Sequence, residues 1–83
     1  MTYSVIWTDH ALASAHAHLD DDREGLLGVF DATDALATDP RPAAAFAWGM
    51  DRYRLRIGRY RVIYQVTDAE VTVEVLHLGH REQ

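Results

Sequence analysis

Five arginines lie within ten residues of this 83-residue chain: Arg52, Arg54, Arg56, Arg59 and Arg61. No acidic residue interrupts them, although the formal net charge of the chain is −5 at pH 7. A dense group of cations in an acidic protein is typical of a surface that binds anions. The phosphates of a nucleic acid and the carboxylates of a partner protein are the candidates.

Arginine offers anion recognition and charge stabilisation. Its planar guanidinium group binds phosphate through two parallel hydrogen bonds and can stack on a nucleobase. Tyr53 and Tyr60, in the same segment, are of a type that stacks on unpaired bases. In RNA the 2′-hydroxyl can attack the adjacent phosphate, and fixed cations stabilise the charge that develops. These residue types predict RNA cleavage without a metal ion or other cofactor.

Other kinds of catalytic site have little support in the sequence. The chain has no cysteine, and Ser4 and Ser14 fall in a predicted strand and helix rather than at a strained turn. His10, His16 and His18 lack the spacing of two metal ligands one helical turn apart. We therefore predict no metal site.

The arginine segment is predicted to form a β-hairpin. Between residues 52 and 57, arginine alternates with tyrosine, leucine and isoleucine, which is the period of a half-buried strand. Gly58-Arg59 fits a two-residue turn of type II′, which requires glycine first. Residues 60–66 are rich in β-branched and aromatic residues, as expected of the return strand. One face of this hairpin is apolar and the other carries arginine.

The register of the hairpin decides which arginines lie side by side. A two-residue turn pairs Ile57 with Tyr60 and Arg56 with Arg61. Like charges directly opposite each other destabilise a ladder, so this pair indicates a bound anion. The surface that we call the arginine face comprises Arg52, Arg54, Arg56 and Arg61.

Two helices are predicted before the hairpin. Residues 3–7 form a short strand, and Thr8-Asp9 offers N-caps for a helix that begins near His10. Three aspartates at positions 20–22 end this helix and cap a second, which ends before Asp39-Pro40. The helix positions predicted to face the core are Ala11, Leu12, Ala15, Leu19, Leu26, Leu27, Phe30, Thr33 and Ala37.

The remaining segments complete a small sheet. Residues 41–49 are interpreted as irregular, and Asp68-Ala69 as a turn into a last strand over residues 71–78. His77 is expected beside Tyr60. The last strand is expected to add three side chains to the apolar face: Val71, Val73 and Val75.

The predicted fold is a two-layer α+β domain spanning residues 1–83. Its order is β-α-α-β-β-β, with a helix hairpin packed on one face of a small antiparallel sheet and the arginine face left open. The sequence has neither an apolar run long enough to span a membrane nor the pattern of a signal peptide. We therefore expect a cytoplasmic protein without a membrane partner.

The chain resembles toxins of the RelE/ParE family from bacterial toxin–antitoxin operons. The similarity lies in Val5-Ile-Trp7, Asp39-Pro40 and Trp48-Gly49, and above all in residues 53–66 and 75–81. It covers nearly the whole chain and implies a helix hairpin on a small antiparallel sheet that the first strand also joins. RelE-like members cut messenger RNA in the ribosomal A site, and ParE-like members poison DNA gyrase.

The resemblance assigns catalytic roles to four arginines. Arg54 and Arg56 fall where RelE-like toxins place basic residues that contact the scissile region. Arg61 matches the phosphate-binding arginine of these toxins, and Arg81 matches their C-terminal arginine. If Gly79 permits a β-bulge, Arg81 joins the arginine face level with Arg56.

Further residues are expected to bind RNA around this centre, namely Arg52, Arg59 and His80. Arginine, with a pKa above about 12, is a poor general base, and His80 is the nearest residue of a more suitable type. Family nucleases commonly carry a tyrosine several residues beyond the position of Arg81, whereas this chain stops at Gln83. We therefore expect slower cleavage than in relatives that have the tyrosine.

The resemblance implies three alternative activities. The first is a ribosome-dependent messenger RNA endonuclease that inhibits translation and is neutralised in a hetero-oligomer by a RelB-like antitoxin. The second is a ParE-like inhibitor of DNA gyrase without catalysis of its own. The third is a catalytically weak member that retains only antitoxin binding.

Overall fold

The computed structural model of the protein describes residues 2–80. Its strands are β1 (Ser4–Trp7), β2 (Phe46–Gly49), β3 (Arg52–Ile57), β4 (Tyr60–Thr67) and β5 (Thr72–His80). Its helices are α1 (Asp9–Leu19) and α2 (Arg23–Ala35), and a short 3-10 turn at Asp68–Glu70 joins β4 to β5.

The strands form one mixed sheet in the order β1-β5-β4-β3-β2. β1 runs parallel to β5, and the other neighbouring strands are antiparallel. The two helices pack on one face, where their buried residues share a core with the central strands. The predicted two-layer α+β architecture and the order β-α-α-β-β-β are confirmed, and the parallel pairing of β1 makes the sheet mixed.

The prediction that residues 41–49 are irregular is wrong for the end of this segment. Phe46–Gly49 forms the edge strand β2, in which Phe46 pairs with Arg54. Phe46 and Trp48 are two residues apart, the spacing of neighbours on one face of a strand. The preceding prolines hid this signal, because proline is typical of turns and of sheet edges.

Both helices begin at the predicted capping residues. The Thr8 hydroxyl accepts a hydrogen bond of 3.2 Å from the Ala11 amide, a contact of a kind that contributes about 1 kcal/mol. The Asp22 carboxylate accepts one of 3.1 Å from the Gly25 amide. A Cβ atom at Gly25 would overlap this carboxylate, which accounts for the glycine. Neither helix is long and apolar enough to cross a membrane.

The core lies between the helices and the inner face of the sheet. Its buried side chains are Ala11, Ala15, Leu26, Val29, Thr33, Leu36, Leu55, Tyr60, Val62, Tyr64, Val66, Val73, Val75 and Leu78. Because the central strands direct these side chains inward, the alternate positions of the same strands lie on the open face of the sheet.

Two leucines predicted to face the core are instead partly exposed. Leu12 is 39% exposed and Leu27 is 50% exposed. On α2 the buried stripe runs through Leu26, Val29 and Thr33, at spacings of three and four residues. Leu27 lies about 100° around the helix from Leu26 and therefore leaves the stripe.

The segment that follows α2 contacts the sheet through hydrogen bonds and an ion pair. These contacts lie at the end of the sheet that is remote from the hairpin turn. The buried Tyr64 hydroxyl donates a hydrogen bond of 2.8 Å to the Pro40 carbonyl, and burial raises the pKa of Tyr64 to about 12. Arg41 forms a 2.9 Å ion pair with Asp68 and donates a 2.8 Å hydrogen bond to the Tyr53 hydroxyl. The Arg41 guanidinium holds the pKa of Asp68 below its ordinary value.

Candidate functional site

The arginine hairpin has the predicted register. Ile57 pairs with Tyr60 and Arg56 with Arg61, so the two arginines face each other across the ladder. Gly58 has a φ angle of +59° whereas φ is not positive at Arg59, in agreement with a type II′ turn. The arginine face therefore lies on the open side of the sheet, opposite the core.

Three side chains of the arginine face line one groove of about 830 Å³. Arg54 and Arg56 extend from β3, and Arg61 extends from the neighbouring strand β4. None of the described residues that line this groove is acidic; the others are Ala44, Phe46 and Gly58. Guanidinium groups that share a groove without counter-charges create a strong local positive potential, which attracts a polyanion.

Arg54 lies between two exposed aromatic rings. Its guanidinium carbon is 5.7 Å from the centroid of Phe46 and 5.0 Å from that of Trp48. Exposed cation–π contacts contribute about 0.5–1 kcal/mol each, so the rings hold Arg54 in place. Phe46 is 68% exposed and Trp48 is 52% exposed, and both rings therefore remain accessible for stacking on a nucleobase. We did not predict these two site residues, although their alternate spacing was the available signal.

Arg52 belongs to the arginine face but does not line the groove. It precedes Arg54 by two residues on β3, and its Nε donates a hydrogen bond of 3.1 Å to the Gln65 side chain. It lies at the end of the hairpin that is remote from the turn, across the ladder from Gln65. Arg52, for which RNA binding was predicted, therefore lies at the border of the site.

The structure does not bring Arg59 to the groove. Its guanidinium lies over the Tyr60 ring and is 3.5 Å from the Asp22 carboxylate. The Tyr60 hydroxyl donates a hydrogen bond of 2.8 Å to the same carboxylate. This hydrogen bond, followed by the Gly25 amide and with a smaller contribution from Arg59, lowers the pKa of Asp22. Asp22 therefore ties the helix–helix turn to the tip of the hairpin.

His80 also lies away from the groove, on the helix side of the sheet. It pairs with Tyr60, and their ring centroids are 6.0 Å apart. The ring of His18 from α1 is 4.5 Å from that of His80. Strand alternation gives the physical reason, since a residue opposite the buried Tyr60 shares its inward direction.

A β-bulge interrupts β5 at Leu76 and not at Gly79, the residue that was considered as a possible place for one. Ile63 pairs with His77 and Tyr64 pairs with Val75, so Leu76 is the extra residue. The bulge reverses the alternation of side chains along β5. The strand therefore buries Val75 before the bulge and Leu78 after it.

The structure corrects two further predictions for β5, of which the bulge explains the first. His77 does not lie beside Tyr60 but on the open face of the sheet, where it lines a pocket of about 220 Å³. Val73 and Val75 are buried as predicted, but Val71 is not part of the strand. It ends the 3-10 turn with a φ angle of 52° in the left-handed region.

The pocket that contains His77 adjoins the arginine groove. Arg54 and Arg61 line both cavities. The other residues that line the smaller pocket are Trp48, Ile63, His77 and Gly79. His77 was not predicted as a site residue, because the bulge that turns it outward has no signal in the local sequence.

Arg81, the fourth predicted catalytic arginine, lies outside the described residues. Within residues 2–80, no group of three or more histidine, aspartate or glutamate side chains is arranged to hold a metal ion. The site as described therefore consists of arginines, aromatic rings and one histidine.

Comparisons with known proteins place this geometry in a family. Residues 5–83 match a family described as the ParE toxin of the type II toxin–antitoxin system parDE. The chain is also similar in structure to the isolated RelE toxin of E. coli, with a TM-score of 0.79 and 27% identity over 98% of this chain and 86% of that chain.

Chains of two toxin–antitoxin complexes are similarly close. One is the intact RelBE complex of E. coli, with a TM-score of 0.75 and 30% identity over 98% of this chain and 99% of that chain. The other is the RelBE2 complex of Mycobacterium tuberculosis, with a TM-score of 0.80 and 24% identity over 98% of this chain and 100% of that chain. The comparison with curated proteins finds no match.

Proposed function

Because this chain belongs to the RelE/ParE family of type II toxins, we propose that it is a ribosome-dependent endonuclease that cuts messenger RNA. The groove formed by Arg54, Arg56 and Arg61, without an acidic residue among the described residues that line it, carries the proposal. RNA presents the matching chemistry, a chain of phosphates with flexible, unpaired bases between them.

The groove fits a cleavage step in which the RNA supplies its own nucleophile. The 2′-hydroxyl attacks the adjacent phosphorus, and negative charge grows on the phosphate oxygens. Arg56 and Arg61, paired across the ladder, suit binding of these oxygens. Because the strands place both arginines side by side before substrate arrives, two donors are already close to the charge as it develops.

The aromatic rings give the same groove a means to hold single-stranded RNA. Phe46 and Trp48 flank Arg54 and offer stacking surfaces for the bases beside the scissile phosphate. Phosphate binding fixes the backbone, and stacking fixes the bases. Together they would set the in-line geometry that attack by the 2′-oxygen requires.

We propose a cognate antitoxin as the second partner. The E. coli and M. tuberculosis relatives belong to toxin–antitoxin complexes. For this chain, a RelB-like antitoxin with acidic side chains would neutralise the arginine face and block the groove in a hetero-oligomer. A ribosome-bound target places the active toxin in the cytoplasm.

Expression of the full chain from an inducible promoter tests the proposed activity. We expect protein synthesis to stop and primer extension to reveal cuts within translated messages. The cuts should disappear when translation initiation on the reporter is blocked. Intact messages under full growth arrest would contradict an endonuclease.

Inhibition of DNA gyrase is the second candidate, because the matching family is described as ParE. An anion-binding face and exposed aromatic rings also suit a protein surface. In this case the purified chain would inhibit supercoiling by gyrase in vitro, and induced cells would stop replication while their messages stayed whole. The supercoiling and primer-extension assays together separate the two functions.

A further inference from the structure

The described residues that line the arginine groove can stabilise charge, but none of them is of a type that accepts a proton at neutral pH. Guanidinium groups remain protonated, with a pKa above about 12. Attack by a 2′-hydroxyl requires the loss of its proton, and histidine is the side chain type that most often takes this role. The described residues that line the groove and the adjoining pocket include one histidine, His77.

Each nitrogen of the His77 ring has a distinct environment. Nδ1 is 3.3 Å from Nε2 of His10, which lies in the first turn of α1, and the two rings are stacked with centroids 5.4 Å apart. Nε2 extends over Gly79, only 3.1 Å from the place that a Cβ atom at Gly79 would occupy. The absence of a side chain at Gly79 thus makes room for the ring.

Gly79 also locates Nε2 relative to the groove. It pairs with Arg61, which in turn pairs with Arg56. Residues directly opposite each other in neighbouring antiparallel strands have Cα atoms about 4.5–5.5 Å apart. Nε2 of His77 therefore lies over the β5 residue that pairs with Arg61, the arginine that lines both the groove and the adjoining pocket. A phosphate bound by Arg61 would lie at the side of the groove nearest to His77.

We propose that His77 is the general base of the cleavage reaction and that His10 is a positioning residue that orients its ring. The inference rests on the proposed endonuclease function and adds to it a group that receives the proton. With the Nδ1 proton of His77 donated to Nε2 of His10, the lone pair on Nε2 of His77 faces the groove. This is the arrangement of a base held by a third group.

The proposed cleavage step is a transesterification. A bond forms between the 2′-oxygen and phosphorus while the bond from phosphorus to the 5′-oxygen breaks. The 2′-hydroxyl proton passes to Nε2 of His77, and the leaving 5′-oxygen takes a proton from water. The imidazolium then gives its proton to the hydroxide so formed. The products are a 2′,3′-cyclic phosphate and a 5′-hydroxyl end.

The charged and titratable groups around His77 come from three elements. They are His10 from α1, Arg54 from β3 and Arg61 from β4. None of the described residues that line the pocket is acidic.

Steady-state cleavage of a short message on purified ribosomes tests the inference with the full-length chain. In His77→Gln, the amide keeps a polar group near the place of Nε2 but cannot act as a base. We expect kcat to fall by about 100-fold or more, with KM unchanged. The wild-type rate should decline as the pH falls through the range in which imidazole is protonated, and this decline should be absent in His77→Gln.

The positioning role of His10 has its own readout. His10→Ala should lower kcat by up to about 100-fold and leave KM unchanged. His10→Gln, which keeps an amide near the place of Nε2, should recover part of the rate. Gly79→Ala keeps both histidines but displaces the His77 ring, and it should also lower kcat. His16→Gln, an exposed histidine on the same helix as His10, is the matched control and should behave as wild type.

The outcomes separate this inference from the proposed function. Cleavage by the wild-type chain with an equal kcat in His77→Gln would overturn the role of His77 and leave the endonuclease function intact. A rise in KM with unchanged kcat would also overturn it, since His77 would then only bind RNA. No cleavage by the wild-type chain would overturn the proposed function and this inference together.

Discussion

At the scale of single residues, position within the groove distinguishes arginines that look equivalent in the sequence. Arg61 lines both cavities of the open face, whereas Arg59, two residues away, contacts Asp22 on the helix side. Arg52 lies on the same face as Arg61 but is bonded to Gln65 outside the groove. The chemistry that we propose therefore requires a subset of the five clustered arginines.

Arg61→Ala is expected to reduce kcat/KM for message cleavage by about a hundredfold to a thousandfold, as for loss of one fixed donor to a developing oxyanion. The measurement is the rate of cleavage on programmed ribosomes. Arg52→Ala removes the same charge from the same face and serves as the matched control, with a much smaller effect. Equal effects of the two substitutions would mean that only overall charge matters.

Trp48→Ala is expected to weaken substrate binding, because the stacking of one base on an aromatic ring contributes about 1–3 kcal/mol. The loss should appear as a higher KM for the message. The ring is half exposed and lies over Arg54, so its removal leaves the core intact. Met50→Ala, at a 90% exposed apolar residue close by, controls for loss of general surface hydrophobicity. An unchanged KM for Trp48→Ala would exclude the ring from RNA binding.

At the scale of secondary structure elements, the sequence predicts features that depend on neighbouring residues but not features that depend on the pairing of distant strands. The hairpin register and both N-caps are set by residues close together in the chain, namely Gly58-Arg59, Thr8 and Asp22, and they were predicted correctly. The bulge at Leu76 depends on how β5 pairs with β4 and on the contact of α1 with its edge. No local pattern encodes such pairing, so His77 was missed.

The short edge strand β2 was missed for a different reason. It has four residues and one neighbouring strand, and exposed side chains throughout, so its sequence shows no buried face. The aromatic part of the site was therefore lost along with the strand. In contrast, the arginine part was found because strand alternation and charge coincide in residues 52–57.

Gly28→Ala should raise the free energy of unfolding by about 0.5–1 kcal/mol, because alanine favours a helix and restricts the unfolded chain. Gly28 is an exposed residue within α2, and a Cβ atom there would meet no atom within 4 Å. Urea denaturation measures the change. Gly25→Ala is the control in the same helix, and it should not stabilise, because its Cβ atom would collide with the Asp22 cap.

The contacts of Asp22 with Tyr60 and Arg59 at the hairpin tip should make the free energy of unfolding decrease at acidic pH. Folding lowers the pKa of Asp22, chiefly through the hydrogen bond from the Tyr60 hydroxyl. The ionised carboxylate of Asp22 therefore stabilises the folded state more than the protonated carboxyl does. This contribution is present above the pKa of an unfolded aspartate, about 3.9, and is lost as the pH falls through the lowered value. Urea unfolding at a series of pH values from neutral to about 2 measures it.

Asp22→Asn should flatten this acidic part of the pH profile. Asp20→Asn, at an exposed aspartate in the same turn, provides the comparison and should leave the profile nearly unchanged. An identical loss of stability in wild type and Asp22→Asn would show that other carboxyl groups account for it.

At the scale of the whole molecule, the two layers carry opposite charge. The open face of the sheet presents the arginine groove, and the helices and the turn between them carry acidic side chains: Asp9, Asp20, Asp21, Asp22, Glu24, Asp31 and Asp34. A net charge of −5 therefore conceals a local cationic surface. Affinity for RNA is expected to depend on that surface and not on the net charge.

Salt should reveal the number of phosphates that the groove contacts. Binding of a short single-stranded RNA should weaken with a slope of log K against log salt of about −2, if the three groove arginines each neutralise one phosphate. Fluorescence anisotropy over a range of ionic strength gives the slope. Replacing all three arginines by alanine should bring it close to zero, and a slope that stays the same would place the RNA elsewhere.

The opposed charges of the two layers also act before any contact is made. A molecule that is negative on one side and positive on the other experiences a torque in the field of a phosphate-covered particle. The phosphates repel the acidic helical layer and attract the arginine face of the sheet. Collisions in which the helices meet the particle first are therefore disfavoured. We therefore expect the acidic helices to orient the approaching molecule with its sheet towards the phosphates. This orientation raises the fraction of encounters that are productive, even though the net electrostatic attraction is small. If the target is a phosphate-covered particle, as we propose, we expect a toxin with this asymmetry to bind it without adhering to every nucleic acid that it meets.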